Sequence, residues 1–354
     1  MIVLNESKPK YEILDGMFAP LVSSVKFSNE IAFIIDLKDV LRKFFIPTSV
    51  VSAGLKDAAL EISADIVNTV AHFRNYFMKT YGVRSKIYVL YSESECKNIL
   101  LDSPFYKKDY YKSRFHDPDN AEKINIVQKA VSVVSKVLSN VPNTLYIDTS
   151  EFDELVYIKS IIQNTPKDRL VILQTNDPIL YQVLSDNVFA LTIAGVRSTL
   201  LKSENIFNNI LKDNESKLSS KMIPLVYSIA GYKRYNVPNI PKFGLLRAIT
   251  NIENMMDAGR LIDCESINIP IDKDDLSEDN KLDLKLLENY DQLYNNYYLL
   301  TQNKSYIENA ILLSNRIKIM RTHTSPNVFL DLNAKIFVEH PINITMLLRG
   351  ENLC

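Results

Sequence analysis

The sequence predicts an α/β fold, with a mostly parallel central sheet flanked by helices. Three observations predict it. Short apolar runs, among them IAFIID at 31–36, KIYVLY at 86–91 and RLVILQTND at 169–177, are separated by helical stretches. Their near-continuous apolar character is that of strands buried on both faces. Two of the runs end in an acid, Asp36 and Asp177, and in open parallel sheets ligands bind at the carboxyl ends of the strands.

The elements follow in order. The first strand covers 31–36, and a helix spans Lys56 to Tyr81, with Ala59, Ile62, Ile66, Val70, Phe73 and Phe77 at three- and four-residue spacing. KIYVLY is the second strand. Residues 93–120, polar, aromatic and basic, read as a mobile or partly helical excursion. An amphipathic helix covers 121–141, NTLYID at 143–148 is a brief strand or turn, and a helix runs over 150–163 with Ser150 as N-cap and acids in its first turn. RLVILQTND is the clearest buried strand; a short helix follows it, then the strand NVFALTI at 187–193. Alternating strands and helices imply the parallel sheet. From about 200 the character changes: residues 203–256 read as helices joined by the stretch Ile229 to Gly244, followed by an acidic run at 272–285, a tyrosine-rich helix at 286–302, a helix at 305–320 and an irregular tail.

The 354 residues suggest two domains or one large domain with an appendage. Hydrophobic residues make up 46% and charged residues 23%, a composition able to build a core. The formal net charge is −1, so a contact with nucleic acid depends on a local basic patch. The three cysteines, Cys96, Cys264 and Cys354, lack metal-ligand spacing and read as reduced thiols in a cytosolic setting. No apolar run is long enough to span a membrane, and the first residues lack a signal-peptide core. His72, His116, His323 and His340 have no ligand spacing and are assigned no role.

Asp36, Glu151, Asp153, Glu154 and Asp177 fall at three edges of the predicted sheet. Grouped carboxylates repel one another and raise each other's pKa unless a cation or protons intervene. A hard divalent ion resolves this with oxygen ligands. Two such ions about 4 Å apart activate water and stabilise the leaving oxygen in phosphodiester cleavage. Each acid taken singly also fits an N-cap, a turn or a solvated surface.

The order of these motifs resembles the 5′-nuclease superfamily: flap endonucleases and phage or bacterial 5′–3′ exonucleases, relatives of PIN domains. The first strand ends in Asp36, as in that family. YYKSR at 110–114 loosely resembles the family's arch element. Glu151-Phe152-Asp153-Glu154 stands where the family has Glu-Ala-Asp-Asp, and Thr175-Asn176-Asp177-Pro178-Ile179 where it has Ser-Gly-Asp-x-Asp. Gly231 to Gly244 aligns without a gap with its helix–hairpin–helix unit. The resemblance covers roughly 30–260. It implies a PIN-like domain over 1–200 with an arch at 93–120, a helix–hairpin–helix region over 201–262, and a C-terminal helical extension over 263–354.

The sequence departs from the family's pattern at its chemistry. Tyr91, Ile179, Tyr232 and Tyr235 stand where the family has acids, and Asn239 and Lys242 where it has glycines. One ion set survives in part: Glu151, Asp153, Glu154 and Asp177, with Asp36. The second retains only Asp177. Tyrosine and isoleucine supply neither the charge nor the carboxylate oxygen that Mg²⁺ requires. Asn239 tolerates a left-handed backbone, whereas Lys242 is strained wherever its φ is positive.

The expectation is therefore a degenerate 5′-nuclease-fold protein, DNA-binding or structural, with cleavage lost or weak. Its cofactor is Mg²⁺ or Mn²⁺ at a single residual site, or none. DNA, as flap, single strand or duplex, is its expected partner. Lys107, Lys108, Lys112 and Arg114 form a basic strip with Tyr106, Tyr110 and Tyr111, and Lys233, Arg234 and Lys242 lie on the hairpin. Two alternatives stand beside it. One is an active divalent-metal-dependent exonuclease or flap endonuclease, with replacement ligands such as Asp148 or Asp186. The other is a phage virion or assembly protein without nucleic-acid contact, using the C-terminal extension as a protein interface. The expected setting is cytoplasmic, the host cytoplasm or a virion if the gene belongs to a phage.

Overall fold

The computed structural model describes residues 30–37, 55–91, 121–139, 141, 143–149, 154–194, 197–211, 215–232, 237–257 and 289–301. Six strands form one sheet: β1 (Glu30–Asp36), β2 (Arg84–Tyr91), β3 (Thr144–Asp148), β4 (Val171–Gln174), β5 (Val188–Ala194) and β6 (Arg197–Leu201). Their order is β3-β2-β1-β4-β5-β6. The first five strands run parallel and β6 is antiparallel to β5. The register sets Asp36 opposite Leu90, Tyr91 opposite Asp148, and Ile35 opposite Gln174. The carboxyl ends of β1, β2, β3 and β4 thus share one edge.

The strand period of two sorts the side chains between two cores. Ile31, Phe33 and Ile35 of β1 face the same side as Ile87, Val89 and Tyr91 of β2. There they meet α1 (Leu55–Tyr81) and α2 (Ala121–Ser139), whose apolar stripes include Ile66, Val70, Phe73, Phe77, Val134 and Val137. Ala32, Ile34, Leu90, Val171 and Leu173 face the other side. That side is covered by α3 (Glu154–Gln163), a 3₁₀ helix (Pro178–Val183), α4 (Ile206–Leu211), α5 (Ile223–Ala230), α6 (Leu245–Asp257) and α7 (Tyr290–Thr301). Thus the mostly parallel sheet flanked by helices, predicted from the apolar runs, is observed.

Two elements differ from the sequence expectation. The antiparallel strand β6 was not expected, because RSTLL is too short a run to show a period. The tyrosine-rich helix is part of the second core: Leu293 and Leu300 are fully or nearly fully buried. The arch at 93–120 and the helix at 305–320 lie outside the described residues.

Truncating Leu293 to Ala should therefore cost about 3 kcal/mol, as for a buried leucine at a site that cannot collapse. Leu246→Ala, at a residue 51% exposed, should change stability by less than about 0.5 kcal/mol. Urea denaturation midpoints check both; equal small effects would mean that α7 does not belong to the core.

Candidate functional site at the carboxyl edge of the sheet

Asp36 ends β1 and is fully buried; Asp177 follows β4 and is 1% exposed. Their strands are neighbours, so both carboxylates reach the same edge. Thr175 lies between them. Its hydroxyl donates to Asp36 Oδ2 at 3.0 Å and accepts from the Asp177 amide at 3.1 Å. Asp177 also caps the 3₁₀ helix: its Oδ1 accepts from the Ile179 amide at 3.1 Å, and Pro178 holds the first helical position. The local sequence Thr-Asn-Asp-Pro therefore builds a turn in which one hydroxyl ties the Asp36 carboxylate to the backbone of Asp177.

A further donor reaches Asp177 from a different part of the chain. The Tyr232 hydroxyl donates to Asp177 Oδ1. The Tyr232 ring stands edge-on to Tyr227, with centroids 5.1 Å apart. Burial, and then the charge of Asp177, push the Tyr227 phenol well above the usual tyrosine range. The Tyr227 phenol is thus held in its neutral form beside Asp177.

The hairpin carrying Tyr232 is closed by two backbone bonds, Tyr232 N to Val237 O at 2.8 Å and Val237 N to Tyr232 O at 3.0 Å. Gly231 enters it at φ 77° and ψ 159°, a region reserved for glycine. A Cβ there would meet Asn239 N at 2.6 Å and Val237 O at 2.9 Å. Lys242 has φ 76°, the strained left-handed value considered above, at a cost of roughly 1 kcal/mol. Arg247 Nη1 donates to the Lys242 carbonyl at 2.9 Å, holding the strained peptide. Asn239 does not adopt the left-handed backbone allowed for it. Its amide instead donates to Phe243 O at 3.0 Å, closing the turn before α6.

The remaining predicted residues fall as follows. Glu154 opens α3, 6% exposed, and the chain leaves β3 on the same sheet edge. Asp148 ends β3. Asp186 precedes β5 and is exposed, on the opposite edge, so it is no replacement ligand. Tyr91 is 6% and Ile179 1% exposed, each in one of the two cores. Lys242 is exposed, and so is Arg247, which the sequence reading missed. Glu151, Asp153, Lys107, Lys108, Lys112, Arg114, Lys233, Arg234 and Tyr235 lie outside the described residues. Among the described residues no group of three or more His, Cys, Asp or Glu side chains is placed to hold a metal ion. Thr175 was also missed as a bridging residue; its signal is a hydroxyl in the position of the motif's serine.

The mostly parallel six-stranded sheet and its helical cover match a flap-endonuclease-like fold. Solved structures of the bacteriophage T5 enzyme are similar to this chain. The flap endonuclease in a pseudo-enzyme–product complex with DNA and metal ions is 15% identical, with a TM-score of 0.55, covering 87% of this chain and 98% of that one. The T5 5′-exonuclease with bound zinc ions is 15% identical, with a TM-score of 0.54, covering 88% and 100%. The T5 protein co-crystallised with metal ions is 16% identical, with a TM-score of 0.52, covering 87% and 98%. At this identity the likeness is one of fold. No protein-family model and no curated protein matches the sequence.

The hairpin geometry gives a paired prediction. Gly231→Ala should destabilise the protein by more than about 2 kcal/mol, through backbone strain and the clash with Asn239. Gly244→Ala, where an added Cβ meets nothing within 4 Å, should be neutral or stabilising by up to about 1 kcal/mol. Thermal or urea unfolding of the two variants separates them.

Proposed function

We propose that this chain is a 5′-nuclease-fold protein that binds DNA and whose phosphodiester cleavage is lost or weak. The observation that carries the reading is the hydrogen bond from Tyr232 to Asp177. The resemblance expects an acid at position 232, facing an ion shared with Asp177. A phenol there delivers a proton donor to the carboxylate instead. Tyr91 and Ile179, packed in the two cores, support the same reading.

The donors at this edge fit two divalent ions poorly. Mg²⁺ takes a near-octahedral set of oxygens, usually through carboxylates and water. Asp177 Oδ1 already accepts two donors, and Asp36 Oδ2 accepts the Thr175 hydroxyl. One ion, Mg²⁺ or Mn²⁺, is the most that Asp36, Glu154 and Asp177 would hold together with Glu151 and Asp153. When bound, such an ion would supply Lewis acidity at a phosphate oxygen.

DNA as the ligand is supported by the exposed cations Lys242 of the hairpin and Arg247 of the first turn of α6, and by the DNA complex of the T5 flap endonuclease. Lys233, Arg234 and the arch residues Lys107, Lys108, Lys112 and Arg114 would extend that surface. The division into a nuclease-fold domain, a helix–hairpin–helix region and a C-terminal extension belongs to the same proposal. Leu293 and Leu300 of α7, with Tyr297 packed against the same core, are engaged inside the molecule.

Filter binding to 5′-flap, single-stranded and duplex DNA across a salt series tests this. The expected result is affinity that falls steeply with salt, by about 0.9 in log–log slope per phosphate contacted on duplex. No flap cleavage is expected with Mg²⁺ or Mn²⁺. Binding that ignores salt would sink the DNA assignment. Cleavage that Asp177→Ala abolishes would sink the loss of activity.

A further inference from the structure

We infer that α7 is a strap that seats the hairpin on the carboxylate edge, and that Asn296 is its positioning residue. The inference deepens the proposed function and rests on it only for what the seated hairpin presents.

The last carbonyls of a helix have no partner within it. The natural partner of Ser228 O would be the Tyr232 amide, four residues on, but that amide is bonded to Val237 O. Ile229 O is satisfied from the hairpin by the Ile240 amide at 2.8 Å. Ser228 O is satisfied from α7: Asn296 Nδ2 donates to it at 2.8 Å. The second hydrogen of the same amide goes to Pro238 O at 3.0 Å. A carboxamide nitrogen carries two donors, and Asn296 directs both at carbonyls that flank Tyr232. It does so 1% exposed, where an unmade bond is costly. One turn earlier, Gln292 reaches Pro238 O and Asn239 O at 3.5 and 3.4 Å.

The other end of α7 is tied as well. Lys159 Nζ donates to Thr301 O at 2.5 Å, and Gln182 Nε2 to Leu300 O at 2.9 Å. Lys159 belongs to the helix that Glu154 opens, and Gln182 to the 3₁₀ helix that Asp177 caps. The strap therefore joins the three elements that carry Glu154, Asp177 and Tyr232. The hydrogen bonds named here run from side chain to main chain, so they set backbone position rather than charge.

Amide hydrogen exchange on the full chain tests this without DNA, so its outcome is independent of whether DNA binds. Asn296→Leu keeps comparable bulk and removes both donors. The expected result is exchange at least tenfold faster at Val237, Ile240 and Phe243, with Ile172 and Leu173 of β4 unchanged. Leu300→Ala serves as a control that weakens the core without touching the hairpin, and it should raise exchange evenly. If Asn296→Leu raises exchange evenly, or not at all, the strap is overturned. If that variant does not fold, Gln292→Ala should show a smaller increase confined to the same amides; an even change or none would overturn the inference.

Discussion

A carboxylate taken fully out of water must be compensated, and at Asp177 two donors from different parts of the chain meet on one carboxylate oxygen. Its own turn supplies the Ile179 amide, and the Tyr232 hydroxyl arrives from a hairpin 55 residues away. The last of these is the interaction on which the site depends. It joins the sheet edge to the helical half of the molecule at one oxygen. It also sets what that oxygen can do, because an acceptor holding a phenolic proton and an amide is a weakened ligand for a cation.

The hairpin is shaped to deliver that hydroxyl. Gly231 turns the chain out of α5 with a conformation and a clearance that no other residue matches. The Tyr232–Val237 pair closes the loop, and the Ile240 amide returns to the end of α5. Lys242 accepts an unfavourable φ so that α6 can start where it does. These constraints involve backbone and packing only. They let the hairpin hold this course with tyrosine at 232, asparagine at 239 and lysine at 242.

Much of the fold was legible in the sequence because buried parallel strands are written as unbroken apolar runs. IAFIID, KIYVLY and RLVILQ are that, and each contains or lies within a strand. Asp36 and Asp177 were legible as edge acids for the same reason. The strand β6 was not, since a five-residue edge strand is held by pairing with β5 rather than by a pattern of its own. Gly231 and Gly244 look alike in sequence, yet only the first is required, because φ and clearance are properties of the folded turn. Asn296 was invisible for a similar reason. A polar residue in a tyrosine-rich helix reads as solvated until the two carbonyls it satisfies are brought to it from α5 and the hairpin.

The central claim is that Asp177 is engaged by Tyr232 in place of an ion shared with the hairpin. Calorimetric titration of the full chain with Mn²⁺ tests it most directly. At most one ion per chain is predicted, with a stoichiometry that Tyr232→Phe leaves at or below one. Two ions bound per wild-type chain would contradict the account.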